Sequence, residues 1–170
     1  MNKNKHWIGW ILLIAVLLMS MAAVVNIHHN KYVRQTELLV AAQSGDLEKV
    51  KFFIKQGDPI NQKVESYFGW TPLIAAIYGG ETNAAQYLVE AGADVNLADM
   101  YGKTPLMYAA LHGDEAAPLA QSLIAHGANL DAKDNHGATA FDCAGGVPAS
   151  PAIIEVLAKA RQEQKKLSQK

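Results

Sequence analysis

One short motif recurs along this 170-residue chain at nearly constant spacing. Thr71-Pro72-Leu73 returns as Thr104-Pro105-Leu106 after 33 residues. Gly92-Ala93-Asp94 returns as Gly127-Ala128-Asn129 after 35, so the later copy carries an insertion of two residues. A unit of this length cannot bury its own apolar side chains alone, and such units are stable only when several of them stack. The recurrence therefore predicts a repeat architecture.

The residues inside each copy predict a helix-turn-helix unit. Thr71 and Thr104 are placed to cap a first helix, and each is followed by a proline at the one helical position where a missing N–H costs nothing. Gly92 and Gly127 follow the second helix, where a residue with positive φ is needed to end it.

This pattern resembles the ankyrin repeat, in which G-x-TPL opens the first helix and GAD-x-N follows the second. The resemblance covers Thr36 to about Ala160. It implies an all-α ankyrin repeat solenoid, built of helix-turn-helix units joined by hairpin fingers. We expect four repeats and a polar C-terminal tail, with approximate bounds 36–68, 69–101, 102–136, 137–160 and 161–170.

An apolar run lies upstream of the repeats, from Trp7 to Val25, where 17 of 19 residues are hydrophobic and none is charged. A helix of this length reaches roughly 28 Å, close to the hydrocarbon thickness of a bilayer. We therefore predict one N-terminal transmembrane helix over 7–25, after a basic tail at 1–6 and before a linker at 26–35. The length favours an uncleaved signal anchor, and a cleaved signal peptide with its site at Ser20-Met21-Ala22 is the alternative.

The membrane orientation follows from the positive charges around this run. Lys3 and Lys5 precede it and Lys31 and Arg34 follow it, so the free amino terminus decides in favour of a cytoplasmic N-terminus. The chain is similar to small envelope ankyrin proteins of Gram-negative bacteria. That resemblance implies a single-pass protein of the bacterial inner membrane with its ankyrin domain in the periplasm.

Ankyrin repeats bind their partners on a concave face made by the finger tips and the outward positions of the first helices. Aromatic side chains at such positions, which have no packing role, are typical of protein-binding hot spots. The first finger is two residues longer than the second, so the alternative is that Phe68 and Trp70 fold back against the stack. The candidate protein-binding residues are Tyr67, Phe68, Trp70, Tyr78, Met100, Tyr101, Lys103, Leu111, His112, Asn135 and His136.

The charge of the repeats constrains the partner. Residues 36–160 contain 7 Lys/Arg against 15 Asp/Glu, a net charge of −8. An acidic stack favours a partner protein with a basic surface patch. It argues against a nucleic-acid partner, because phosphate neutralisation requires clustered Lys and Arg.

The sequence offers little chemistry for catalysis or for a cofactor. A GxSxG elbow, a Walker loop and a dinucleotide fingerprint are all absent, and we predict no catalytic residue, cofactor, metal or small-molecule substrate. Cys143 fills a first-helix position that is apolar in the family, so a buried inert thiol is favoured over a nucleophile, the remote enzymatic alternative. His28 and His29 lack a third metal ligand. Five loop residues suggest calcium, but their positions favour hydrogen bonds to backbone amides instead: Asp94, Asn96, Asp99, Asp131 and Asp134.

These observations predict a non-enzymatic protein-binding module that is anchored in the lipid bilayer through residues 7–25. The resemblance suggests a scaffold or support protein of the periplasm. The alternative is an immunity protein that binds and neutralises a toxic effector there.

Overall fold

The computed structural model describes residues 33–146 and 149–167 of the chain. The predicted transmembrane segment 7–25, the basic tail 1–6 and residues 26–32 of the predicted linker lie outside this range. No helix within the described residues is long and apolar enough to cross a membrane. The chain divides into two compact units, Met1–Arg34 and Gln35–Lys170, and the repeats form the second.

Eight α-helices in the described residues form four successive pairs. The all-α expectation is confirmed for this part of the chain, which contains no strand beyond one isolated bridge between Val64 and Trp70. Two short 3-10 turns, Glu65–Tyr67 and Asp114–Ala116, lie in the connections. The helices are α1 (33–43), α2 (Leu47–Lys55), α3 (Pro72–Tyr78), α4 (Thr82–Glu90), α5 (Pro105–His112), α6 (Ala117–Ala125), α7 (Ala140–Ala144) and α8 (Pro151–Leu167).

The predicted helix caps are confirmed. The Oγ1 atom of Thr71 accepts a hydrogen bond from the Ile74 amide at 3.2 Å, and Thr104 caps α5 in the same way. Both helices have a proline in their first turn. The fourth pair uses Thr139 in this position, in a reciprocal capping box with Asp142.

Stacking of the pairs creates one continuous core. First helix packs on first helix, from α3 to α5 to α7, and second helix packs on second helix, from α4 to α6 to α8. The facing alanines are fully buried, with Ala75, Ala76 and Ala109 at 0% exposure. Their small side chains let neighbouring first helices approach closely, and Leu88 and Leu123 fill the space between the second helices.

Two predicted boundaries differ from the structure. Residues 33–35, assigned to the linker, are helical and belong to α1, because neither Gly nor Pro separates them from Thr36. The predicted tail also begins inside a helix, since α8 continues to Leu167 through residues that favour helix formation. Arg161 fastens this extension by pairing with Asp131 and lying over the ring of Phe141, 4.7 Å from its centroid.

Asparagine side chains connect each repeat to the next. The Oδ1 atom of Asn61 accepts a hydrogen bond from the Asp94 amide at 2.8 Å, and Asn96 Oδ1 accepts one from the Asn129 amide at 2.8 Å. Asn96 also donates through Nδ2 to the carbonyl of Gly127 at 2.9 Å. These bonds satisfy backbone groups in loops that have no helical partner.

We expect Asn96→Ala to lower the free energy of unfolding by about 1–2 kcal/mol, because it removes two hydrogen bonds between repeats. Urea unfolding of the full chain in a mild detergent, followed by circular dichroism, measures the change. Asn83→Ala is the matched control, since Asn83 lies exposed on α4 and the alanine is at least as favourable in a helix. Equal stability of the two variants would contradict the role assigned to Asn96.

Candidate protein-binding surface

The three fingers are closed by equivalent hydrogen bonds but differ in length. The Val64 amide donates to the Trp70 carbonyl at 3.0 Å in the first finger, and the Asp99 amide donates to the Lys103 carbonyl at 3.0 Å in the second. The third finger repeats the shorter spacing of the second. The first finger is therefore two residues longer, as predicted, and the 3-10 turn Glu65–Tyr67 occupies the extra length.

Phe68 at the tip of the first finger has an unusual backbone conformation. Its φ of 57° makes it the one non-glycine residue with positive φ among the described residues. Such a conformation costs on the order of 1–2 kcal/mol and persists only where neighbouring contacts hold it. Here the Phe68 carbonyl accepts a hydrogen bond from the Met100 amide at 3.0 Å, which ties the first finger to the second.

The second and third fingers are joined in the same manner. The Asn135 amide donates to the Tyr101 carbonyl at 2.9 Å, and Asn135 Nδ2 donates to the Met100 carbonyl at 3.1 Å. Gly102 lies at this contact with a φ of 77°, and a Cβ atom on it would approach Asn135 Oδ1 to 2.8 Å. The finger tips are thus fixed relative to one another by main-chain contacts.

Five aromatic rings from these fingers and helices form one cluster, which we call the aromatic patch: Phe68, Trp70, Tyr78, Tyr101 and Tyr108. The centroid of Trp70 lies 4.4 Å from that of Tyr78 and 6.1 Å from that of Phe68. Phe68 in turn lies 6.0 Å from Tyr101 on the next finger. Tyr108 meets the rings of Trp70 and Tyr78 edge-on, each at 6.2 Å. Edge-on contacts of this kind are favourable for aromatic pairs.

Three rings of the aromatic patch remain open to solvent. Phe68 is 50% exposed, Tyr78 is 51% exposed and Tyr101 is 43% exposed. Two predicted neighbours, Met100 and Leu111, are also more than half exposed. The structure therefore brings together Phe68, Tyr78 and Tyr101, which the sequence had placed on separate fingers and a helix, and Met100 is bonded to Phe68 beside them. Leu111 is exposed on α5 at the position that Tyr78 occupies on α3.

Trp70 is a correction to the predicted surface, because only 7% of it is exposed. The bridge to Val64 turns Trp70 inward, and Tyr78 and Tyr108 cover its ring. The alternative that the long finger folds back against the stack is correct for Trp70 and wrong for Phe68. Tyr67, also predicted as a binding residue, is half-buried and packs against the core.

The polar candidates divide into two groups. Lys103 and Asn135 connect the second and third fingers, since Lys103 Nζ lies 3.7 Å from Asp134 Oδ2 and Asn135 bonds the neighbouring finger. The side chains of His112 and His136 are exposed at the edges of the surface. Three of these residues, His112, Asn135 and His136, are exposed, whereas Lys103 is partly buried.

Sequence reasoning missed Tyr108, which supports the aromatic patch from beneath. Its hydroxyl donates to Asp99 Oδ2 at 2.7 Å, while Asp99 Oδ1 accepts from the amides of Tyr101 and Lys103. Burial, together with the hydrogen bond to Asp99, raises the pKa of Tyr108 far above its ordinary value. The sequence did contain a signal for this role. Tyr108 is a hydroxyl-bearing residue in an otherwise apolar helix start, at the position where the preceding repeat has Ala75.

The indole of Trp70 faces this same hydroxyl. Trp70 Nε1 is the one buried side-chain polar atom in the described part of the chain that makes no hydrogen bond of good geometry. Trp70 lowers the pKa of Tyr108, as a nearby N–H donor would, but burial and Asp99 raise this pKa by more. Trp70, Tyr108 and Asp99 thus connect the aromatic patch to the turn of the second finger.

Comparison with known proteins identifies the fold. A family model described as ankyrin repeats in three copies matches residues 12–99 and 38–134. The chain belongs to the ankyrin repeat family. Its last helix pair, α7 and α8, follows the matched residues.

Relatives of this ankyrin protein come from bacteria and mammals. The ankyrin repeat protein YahD of Escherichia coli (strain K12) is 43% identical over 96 residues, 54% of this chain and 46% of that protein. The mouse protein phosphatase 1 regulatory subunit 27 is 43% identical over 65 residues, 38% of this chain and 41% of that protein. The rat ankyrin repeat and SAM domain-containing protein 6 is 34% identical over 110 residues, 64% of this chain and 12% of that protein. The chain spans less than half the length of each of these relatives.

The carboxylates of Asp94, Asp99 and Asp134 accept from backbone amides, as the sequence indicated, whereas the expectation was wrong for Asp131, whose carboxylate pairs with a side chain. Asp134 Oδ1 accepts from the amides of Ala138 and His136, each at 2.9 Å, and these bonds lower the pKa of Asp134. Asp94 accepts from the Asn96 amide, and Asp131 pairs with Arg161. Within the described residues, no three His, Cys, Asp or Glu side chains converge on a position that could hold a metal ion. His28 and His29 lie outside those residues.

The Cys143 thiol is poorly suited to nucleophilic chemistry. It is half-buried in α7, and this burial is the main cause that raises its pKa. A thiol with a raised pKa has little thiolate at neutral pH, and the thiolate is the reactive form.

Tyr108 makes the stability of the repeats sensitive to alkaline pH. The unfolded tyrosine ionises near its ordinary pKa of 10.0, whereas the folded one keeps its proton to higher pH. The wild-type free energy of unfolding should therefore fall as pH rises above 10.0, with a slope of up to about 1.4 kcal/mol per pH unit more than in Tyr108→Phe. Urea unfolding at a series of alkaline pH values measures both slopes.

A second measurement at neutral pH completes this test. Tyr108→Phe should lower the free energy of unfolding by about 1.5–3 kcal/mol there, because it removes the donor to the Asp99 carboxylate. Tyr87→Phe on α4 is the control and should retain the wild-type slope. Parallel slopes for wild type and Tyr108→Phe would show that the Tyr108 hydroxyl is not the group responsible.

Proposed function

We propose that this ankyrin protein is a non-enzymatic binding module that holds a partner protein against the aromatic patch and the finger tips. The observation that carries the proposal is the set of three half-exposed rings, Phe68, Tyr78 and Tyr101. Main-chain hydrogen bonds between fingers hold Phe68 and Tyr101, and Tyr78 on α3 packs on Trp70. Large apolar rings exposed together are typical of protein-binding surfaces. A surface that is already ordered also loses little conformational entropy on binding.

The relatives support a function exerted through another protein. One of them is, by its name, a regulatory subunit of protein phosphatase 1. From this relative we apply to the present chain only one general point, that its ankyrin repeats act by binding a partner protein.

The biological role that we propose is that of an envelope scaffold or support protein. It rests on the apolar run 7–25, which we propose as a membrane anchor that leaves the repeats in the bacterial periplasm. An immunity protein that neutralises a toxic effector would use the same surface, and the identity of the captured partner separates the two roles.

Partner capture tests the surface directly. We expect Phe68→Asn combined with Tyr101→Ser to reduce partner recovery from cross-linked envelope fractions by at least about tenfold, because hot-spot residues contribute roughly 2 kcal/mol or more each. Asparagine suits position 68 because it tolerates positive φ. Recovery is measured by quantitative mass spectrometry of the material bound to the full-length chain.

The matched control is Phe52→Ser combined with Leu167→Ser. These side chains are 55% and 73% exposed on α2 and α8, so the control removes as much exposed apolar surface away from the aromatic patch. Unchanged recovery with the Phe68→Asn/Tyr101→Ser protein, given a wild-type circular dichroism spectrum, would exclude this surface as the interface.

A fusion experiment tests the proposed topology. A reporter enzyme that is active only outside the cytoplasm, joined after Lys170, should be active in the full-length fusion. The same fusion without residues 1–25 should be inactive, because nothing would direct it across the membrane. An inactive full-length fusion that is recovered in the membrane fraction would contradict the periplasmic location.

A further inference from the structure

Exposed apolar side chains are concentrated on one surface of the repeats. Nine large apolar residues are exposed in the described part of the chain, and five of them lie on the finger tips or at the ends of α3 and α5. The other four are distributed over α1, α2 and the end of α8. We call the five the docking surface: Phe68, Tyr78, Met100, Tyr101 and Leu111. An apolar concentration of this kind indicates a bound partner more strongly than single exposed side chains do.

The repeats that carry most of this surface are strongly acidic. Residues 69–160 contain 3 Lys against 10 Asp or Glu, a net charge of −7, whereas residues 36–68 contain 4 Lys against 5. Lys103, the one lysine on the second finger, is partly buried and faces Asp134 at 3.7 Å. The docking surface therefore lies in a negative field that attracts cations and repels an acidic partner.

Carboxylates lie at one end of the docking surface. His112 follows Leu111 and lines a small cleft of about 60 Å³ between the turns of the second and third repeats. Glu115, which is exposed, lines the same cleft, and Glu81 lines it too, although the Glu81 carboxylate lies against Gly45 in the turn of the first repeat. The surface is thus aromatic at the fingers and acidic at the turns.

The protein already combines these groups at its C-terminal end. The guanidinium of Arg161 lies 4.7 Å from the centroid of the Phe141 ring and pairs with the carboxylate of Asp131. A basic side chain contacts a ring through its cation and covers apolar surface with its aliphatic stem. Lysine and arginine are therefore the side chains that suit a surface with rings at one end and carboxylates at the other.

We propose that the partner docks through a segment that carries an apolar side chain and a nearby Lys or Arg side chain. The apolar side chain lies on Phe68 and Tyr101. The basic side chain crosses Tyr78 and Leu111, so that its charge reaches Glu115. This inference rests on the proposed function and deepens it, because it specifies the chemistry of the segment that the surface recognises.

A random library of 12-residue peptides, selected against the full-length chain in a non-ionic detergent, tests this chemistry. We expect the enriched peptides to contain Lys or Arg next to an aliphatic or aromatic residue. Fluorescence anisotropy of one enriched peptide, synthesised with a label, then gives its affinity for the variants. Phe68→Asn combined with Tyr101→Ser should weaken binding by at least about tenfold.

A pair of charge variants locates the basic side chain. Glu115→Gln should weaken peptide binding by roughly two- to fivefold, the range for exposed ion pairs. Glu155→Gln removes the same charge from an exposed position of α8, and should leave the affinity within about 1.5-fold of wild type.

The possible results separate the inference from the proposed function. Enriched peptides that are acidic or uncharged, yet are lost in the Phe68→Asn/Tyr101→Ser variant, would overturn the basic segment and leave the docking surface in place. Equal losses of affinity in Glu115→Gln and Glu155→Gln would overturn the location of the charge. Peptides that bind the aromatic variant as well as wild type, or no enrichment above empty micelles, would overturn the inference, and the first of these results would contradict the proposed function also.

Discussion

Hydrogen bonds that side-chain oxygens accept from backbone amides of the next repeat hold this molecule in register. Asn61 and Asn96 each accept from an amide 33 residues further along the chain. Asp99 and Asp134 perform the corresponding task inside single fingers, where each accepts from two amides of its own turn. Because loops without regular structure would otherwise carry unpaired N–H groups, these bonds fix the spacing of the fingers. That spacing places Phe68 of one finger against Tyr101 of the next.

The repeated residues of the sequence predict the fold well, because each has a local physical role. Thr71 caps a helix, Ala109 permits a close helix contact and Gly92 has positive φ whatever lies around the repeat. The candidate site is predicted less completely, since a pattern gives a position along the chain but not the direction of a side chain. Trp70 and Lys103 occupy the same position in successive repeats, yet Trp70 is buried and Lys103 reaches the next finger.

The acidic character of the repeats has two structural origins. Buried Asp99 and Asp134 are part of the finger turns, where amide donors and, for Asp99, the Tyr108 hydroxyl compensate the loss of hydration. Exposed carboxylates such as Glu115 keep their hydration, because they remain open to solvent. Both groups contribute to the field around the docking surface, but the exposed ones are open to a cation from a partner, whereas buried Asp134 already faces Lys103 at 3.7 Å. Removing charge from the first group therefore disturbs folding, whereas removing it from the second changes mainly recognition.

The docking surface arises where the first finger departs from the repeat. Phe68 follows the 3-10 turn of this longer finger and has positive φ, which opposes folding by on the order of 1–2 kcal/mol. The bond from the Met100 amide and the ring contact with Tyr101 hold the residue in place. A finger of ordinary length would leave the helix stack intact but would not present this ring to the second finger. The helix stack thus depends mainly on residues that recur, whereas the proposed docking surface consists of residues that do not.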